Sequence, residues 1–274
     1  MSDAEEKAPE PDGREKQKGF WSDLPTLLGA VAVALAIRTF LVQPFYVPSD
    51  SMLPTLLVGD HVFVNKFLFG AGLTGTGVRL PGVAEPKRGD VVVFQFARAP
   101  GGAGIFPADQ RPELPRDAFV KRLIGLPGDR VAVVDGRLVI NEEVVPLEPT
   151  GQVFRDGSGR AFDVYIERLN GCPHWVLDDP NWPSDDMAAI TIQPGRYFFM
   201  GDNRDNSYDG RRAGTVRLEE LAGPARLLYW SWDWNGTWLS LLNPLTWWDN
   251  LTAKMRWGRM GSFRACVEPG DRLD

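Results

Sequence analysis

The chain carries two histidines in 274 residues, His61 and His174. A serine, histidine and aspartate triad needs a histidine with partners arranged around it. His61 sits in an alternating apolar stretch, and His174 follows Cys172-Pro173 in an irregular polar block. Neither comes with a partner pattern. Cysteine is just as scarce, with Cys172 and Cys266 alone. Two are too few for a disulfide framework and show no metal spacing, so no metal and no other cofactor is expected. One disulfide can form if the compartment is oxidising. Excess positive charge is also missing. Thirty Lys and Arg face 36 Asp and Glu, for a net charge of -6, which argues against a nucleic-acid binder. Beyond the N-terminal region, no long stretch has a clear helical period.

What is present favours turns and strands. Glycine numbers 29 and proline 22, and apolar residues make up 43% of the chain. That suits one large folded domain or two small ones. Seven of the ten tryptophans lie after position 229, where they can serve a core, a binding surface or a membrane-interface belt.

Residues 1–22 form a polar, charged tail that is expected to be disordered and cytoplasmic. A membrane anchor is expected over 23–43, where Leu24 to Val42 reads LPTLLGAVAVALAIRTFLV. That is near the ~20 apolar residues needed to cross a bilayer. Its Arg38 lies near the C-terminal end, from which a long side chain reaches the headgroups. A cleaved leader is the alternative, but Arg38 interrupts the run and no small-x-small site follows. Lys7, Arg14, Lys16 and Lys18 precede the span, and after Arg38 no Lys or Arg appears until Lys66. The positive-inside rule then places residues 44–274 outside the cytoplasm.

That outer part reads mostly as β. HVFVNKF (61–67), VVVFQF (91–96), DAFVKRLIGL (117–126), RVAVVDGRLVI (130–140) and GRYFFMGD (195–202) have strand character, with Asp135-Gly136 as a hairpin turn. The expected fold is an antiparallel, multi-sheet or barrel-like β domain. Gly70 to Pro86 and Ala99 to Pro115 read as insertions. The block at about 146–193 reads as irregular and polar, and is expected to form a smaller inserted subdomain.

Three segments can carry chemistry. PSDSMLPTLLVGD (48–60) places Ser49 and Ser51 around Asp50, directly before an apolar run. AFVKRLIGLPGD (118–129) places Lys121 among apolar neighbours. Burial there would lower its pKa, and a fall from 10.4 to near neutrality corresponds to about 4 kcal/mol of differential solvation. An exposed strand lysine explains the same segment. MGDNRDNSYDGRR (200–212) loosely fits the first half of a calcium loop, but Val216 stands where the twelfth-position Glu is needed. A polar turn held by Asp-Arg pairs is the plainer alternative.

Together the segments resemble the bacterial type I signal peptidases, membrane-anchored serine proteases that remove signal peptides from exported proteins. PSDSMLPTLLVGD resembles the family's nucleophile box, KRGDVVVF (87–94) its next strand, FVKRLIGLPGDRV (119–131) its lysine box and GDNRDNSYDGR (201–211) its final box. They occur in family order after an N-terminal span. Asp50 replaces the glycine often found between the two serines. One span stands where some members have two, and the Trp-rich C-terminal segment is longer than expected.

The resemblance implies Ser51 as nucleophile and Lys121 as general base. It implies Ser49 with the Ser51 backbone N–H as oxyanion hole, and Ser207 as the group that orients the lysine. Phe45, Val47, Met52, Leu56, Phe119 and Val120 would line shallow pockets for small residues, or serve as ordinary core. Arg122, Asp202, Arg204, Asp209 and Arg211 would support the site, with Arg122–Asp202 and Asp209–Arg211 as ion pairs. The implied partners are signal peptides and a lipid bilayer, for a monomeric enzyme of the bacterial inner membrane. Two other readings keep the dyad: a self-cleaving repressor, which lacks such a span, and a dedicated maturation peptidase of a secretion or conjugation system. A non-enzymatic anchored β domain is the third.

Overall fold

The computed structural model describes residues 20–70, 81–102, 104–183, 185–233, 252, 254–267, 271 and 273. The tail at 1–19, most of the glycine-rich stretch and most of the Trp-rich segment lie outside these residues. The chain begins with helix α1 (Phe20–Phe40), which bears exposed Leu27, Leu28, Val31, Val33 and Leu35. Among the described residues no helix is long and apolar enough to cross a membrane, so the expected span is present as a helix and is not established as a crossing.

The rest is β, as alternation predicts. Strands β1 (Val42–Tyr46) and β2 (Asp60–Asn65) pair antiparallel, and a single helical turn, α2 (Lys66–Phe69), follows. Next come β3 (Val91–Arg98), β4 (Ile105–Pro107) and β5 (Arg116–Gly125). Strand β4 pairs with β3, so part of the expected insertion at 99–115 extends the sheet. A hairpin joins β6 (Arg130–Val134) to β7 (Arg137–Ile140) through Asp135 and Gly136. Both turn residues have positive φ, 51° and 74°, as a two-residue primed turn requires. Short β8 (Glu143–Val144) follows.

The block read as irregular is instead largely strand: β9 (Leu147–Arg155), β10 (Ala161–Leu169), β11 (Cys172–Asp178) and β12 (Met187–Thr191). Pro149 and Gly151 lie inside β9, and the β9–β10 register slips between Asp163 and Tyr165. Those breaks erase the period-2 signal that alternation depends on. Strand β13 (Arg196–Met200), a single turn α3 (Gly210–Ala213), β14 (Val216–Arg217), β15 (Leu221–Ser231) and β16 (Gly261–Ser262) complete the chain.

Among the described residues three antiparallel sheets result. The large one runs β1-β2-β15-β3-β5-β13-β14, with β16 on β15 and β4 on β3. A second has the order β11-β10-β9, and a third β12-β6-β7-β8. Apolar cores fill the layers, one around Phe94, Phe96, Leu123 and Phe199, another around Ile124, Val131, Phe198 and Met200. Cys172 and Cys266 are joined in a disulfide. It closes a separation of 94 residues, which in the chain-entropy account stabilises by about 4 to 5 kcal/mol.

Candidate active site

Strand β1 delivers the chain to Val47, and a tight excursion returns it to β2. The excursion is closed at its base, where Val47 N donates to Asp60 O (2.8 Å) and Gly59 N to Val47 O (3.1 Å). Buried Asp60 accepts from Leu57 N (2.8 Å), Ser231 Oγ (2.6 Å) and Arg259 Nη2 (2.9 Å). Inside the excursion, Met52 and Leu56 are fully buried with Val47, Val62, Val91 and Leu228. The apolar run after Ser51 is therefore an anchor. It pins the serine loop into the core between β2, β3 and β15.

Lys121 lies on β5, and its Nζ donates to Ser51 Oγ. Lys121 is 3% exposed and Ser51 7%. Burial lowers the lysine pKa to about 8; Asp209 and Asp202 pull it back upward, Arg211 lowers it further, and Asp50 raises it. A useful fraction of amine therefore exists at neutral pH. Ser49 is exposed, with its Oγ 3.4 Å from Ser51 Oγ.

The segment after β13 holds this pair from behind. Arg122 follows Lys121 on the strand, so the two side chains leave opposite faces. Arg122 Nε and Nη2 donate to Asp202 Oδ1 and Oδ2 at 2.8 and 2.7 Å, and both groups are buried. Arg122 Nη1 also reaches the carbonyls of Gly89 (2.9 Å) and Ala265 (2.6 Å). Arg211 grips Asp209 through Nε and Nη2, each at 2.9 Å. Burial alone would raise both carboxyl pKa values, but the arginines hold them below the usual range.

Arg204 has a partner that sequence reasoning missed. Its Nη1 and Nη2 donate to Glu167 at 2.7 Å each, and His174 Nε2 lies 3.3 Å from the same carboxylate. Burial opposes that charge, yet Arg204 and then His174 hold Glu167 far below its usual pKa. The only sequence signal was an acidic residue at an inward position of β10.

Asn203 and Asn206 were missed as well. Asn203 N donates to Ser51 O (3.2 Å), and Asn203 Nδ2 to Asp50 O (3.1 Å). Asn206 Nδ2 donates to the Asp50 carboxylate (2.7 Å). Asp50, which stands where the family often has glycine, is thus the strut between the serine loop and the final box. Ser207 is buried close enough to Asp209 to help keep it ionised, but its Oγ makes no well-formed hydrogen bond and none reaches Lys121.

A cavity of about 110 Å³ opens beside the serine. Phe45, Val47, Phe119 and Val120 line it together with Val62, Val93 and Ala118. Met52 and Leu56, expected there, do not line it, because the loop's turn directs them into the core beneath.

The family profile for signal peptidase, peptidase S26, matches residues 21–230. The chain belongs to this family. It is 34% identical over 212 residues to a signal peptidase I of Pseudomonas aeruginosa, covering 73% of this chain and 69% of that one. It is 30% identical over 239 residues to a signal peptidase I of Rickettsia canadensis, covering 80% and 79%. The chain is accordingly a serine endopeptidase of the signal peptidase I type. The match to the family spans the serine loop, β5 and the final box, the segments that surround the buried Ser51–Lys121 pair.

Proposed function

We propose that the enzyme removes N-terminal signal peptides from exported preproteins by a Ser51–Lys121 acyl-enzyme mechanism. The hydrogen bond from Lys121 Nζ to Ser51 Oγ, in a setting that lowers the lysine pKa to about 8, carries this reading. Ser51 Oγ attacks the scissile carbonyl while neutral Lys121 takes its proton. Ser49 Oγ–H and Ser51 N–H donate to the oxyanion. The Lys121 ammonium then protonates the departing amine, leaving an ester on Ser51. Water attacks that ester while Lys121 accepts its proton, the ammonium returns a proton to the departing Ser51 Oγ, and the signal peptide leaves as a carboxylate after losing its acid proton to solvent. Ser207 orients the lysine in the reacting complex, where hydrogen bonds absent from a free enzyme commonly form.

The small cavity supports cleavage after small residues. At about 110 Å³ it is a small space with mainly apolar walls, suited to short side chains. The exposed apolar side chains of α1 support its use as a membrane anchor, with residues 1–22 cytoplasmic. The Cys172–Cys266 disulfide supports an oxidising, extracytoplasmic setting for the monomeric catalytic part.

Cleavage of a model preprotein in detergent or lipid tests the mechanism. Ser51→Ala and Lys121→Ala should each abolish cleavage while the near-ultraviolet dichroism stays native. Retained activity in either folded variant would remove that residue from the mechanism.

A further inference from the structure

The cleft does not end at the apolar cavity. A second cavity, of about 350 Å³, opens on the same serine. Ser49, Ser51, Arg98, Phe119 and Lys121 line both, so the two spaces meet at the reacting hydroxyl. Asp50, Asp205 and Asn206 line the second cavity, as do Arg98 and Arg212. Buried Ser207 lines it too, with its Oγ free of any well-formed hydrogen bond.

The charges on this wall are unequally compensated. Arg98 already holds Asp117 (2.8 Å), and Arg212 holds Asp185 (2.7 Å). Each guanidinium thus brings its own counter-charge. Among the described residues the donors to the two carboxylates are neutral: Asn206 Nδ2 for Asp50 (2.7 Å) and the Asp179 backbone N–H for Asp205 (2.7 Å). Among the described residues neither makes an ion pair. Burial, and then the nearby charge of Asp178, pushes the Asp205 carboxyl up. Burial lowers the Lys121 pKa against the upward pull of Asp209, Asp202 and Asp50, and the neutral amine, its reactive form, brings no opposing charge to this wall.

If the acyl side of the substrate fills the apolar cavity, the departing segment leaves through the second one. We propose that Asp50 is a specificity-determining residue for that segment: its carboxylate, beside the nucleophile, selects cationic over anionic residues directly after the scissile bond. The inference rests on the reading of Ser51 as nucleophile with the signal peptide in the apolar cavity. It gives Asp50 two jobs, a strut through Asn206 and a charge facing the leaving chain.

The test uses the full chain in detergent and two peptides, identical up to the cut, with Lys or Glu at the first two positions after it. The ratio of kcat/KM for the Lys peptide over the Glu peptide is read within each variant. It should be about tenfold in the wild type at low salt, the scale of a partly exposed charge pair counted in both signs. It should shrink toward unity in 0.5 M salt. Asp50→Asn should bring it within about twofold of unity, and Asp50→Glu should keep it. Asn206→Ala removes the strut and leaves the charge, so the ratio should survive even if turnover falls. A wild-type ratio near one, an unchanged ratio in Asp50→Asn, or loss of the ratio in Asn206→Ala would overturn the proposal. Cleavage of the Lys peptide by Ser51→Ala would instead overturn the nucleophile assignment beneath it.

Discussion

Arg122 and Asp202 form a buried two-point ion pair on the face of β5 opposite Lys121. One strand residue therefore presents the proposed base and the next locks the strand to the final box. Thr55 Oγ1 adds a third contact, 2.5 Å from Asp202 Oδ2, which ties in the serine loop. Two neighbours with opposite directions hold three separate segments in register.

That pair should be costly to break. Asp202→Asn leaves Arg122 buried without a counter-charge, and such losses run at about 3 to 5 kcal/mol. Urea denaturation should show this through a lower midpoint with little change in slope. The Asp202 pKa is lowered in the fold, so its contribution is present above the ordinary carboxylate range and fades as pH falls below about 3.8. The gap between wild type and Asp202→Asn should therefore close in acid.

The pH–rate profile should report Lys121. In the proposed mechanism the amine is the active form, so kcat/KM should fall about tenfold per pH unit on the acid side and level off above about 8, the lysine's value in the fold. Measurements between pH 6 and pH 10 would show it. A flat profile across pH 7 to 9 would mean that the lysine does not act as the base.

Much of the sheet scaffold was legible because strands such as β2, β3 and β5 carry clean alternation or short apolar runs. The β9–β11 sheet was not, because Pro149, Gly151 and a register slip break the period. The site divides in the same way. Ser51 and Lys121 stood out only when their segments were taken together, since neither segment alone separates a reactive group from a turn or a snorkelling lysine. The Arg204–Glu167–His174 cluster and the Asp50–Asn206 bond join residues far apart in the chain, and no local pattern encodes such meetings. For Met52 and Leu56 the resemblance implied pocket and left ordinary core as the alternative, and the turn of the loop sends them into the core.

Keeping a lysine buried should cost the fold stability. Lys121 titrates near 8 in the folded chain against 10.5 for its ordinary value. Between those values the unfolded chain binds the extra proton, so stability from this group rises as pH increases through the window. Below 8 the full penalty is present. Lys121→Met should therefore be more stable than wild type by about 3 kcal/mol at pH 7, and by only about 1 kcal/mol at pH 10. Chemical denaturation of both proteins at the two pH values checks it, and an equal difference at both would place the cause in packing rather than charge.

Gly201 should tolerate no side chain, for reasons of catalysis more than of stability. A Cβ at this position would lie closest to Ser207 Oγ, then 2.5 Å from Ser51 O and 2.6 Å from Ser207 Cβ. The same carbonyl accepts from Asn203 N, so the serine's backbone is clamped against the glycine. In Gly201→Ala the Ser51 segment or Ser207 must move by an appreciable part of an ångström. Overpacking of this kind costs about 1 to 3 kcal/mol of stability. Displacing a nucleophile from its aligned position costs on the order of 100-fold in rate. The expected outcome is a folded enzyme with kcat down by roughly that factor and KM little changed, since neither Gly201 nor Ser207 lines the apolar cavity. Steady-state cleavage of a preprotein by a variant whose thermal transition remains cooperative would decide it. Near-normal kcat would mean that the serine loop is softer than its contacts with the final box suggest.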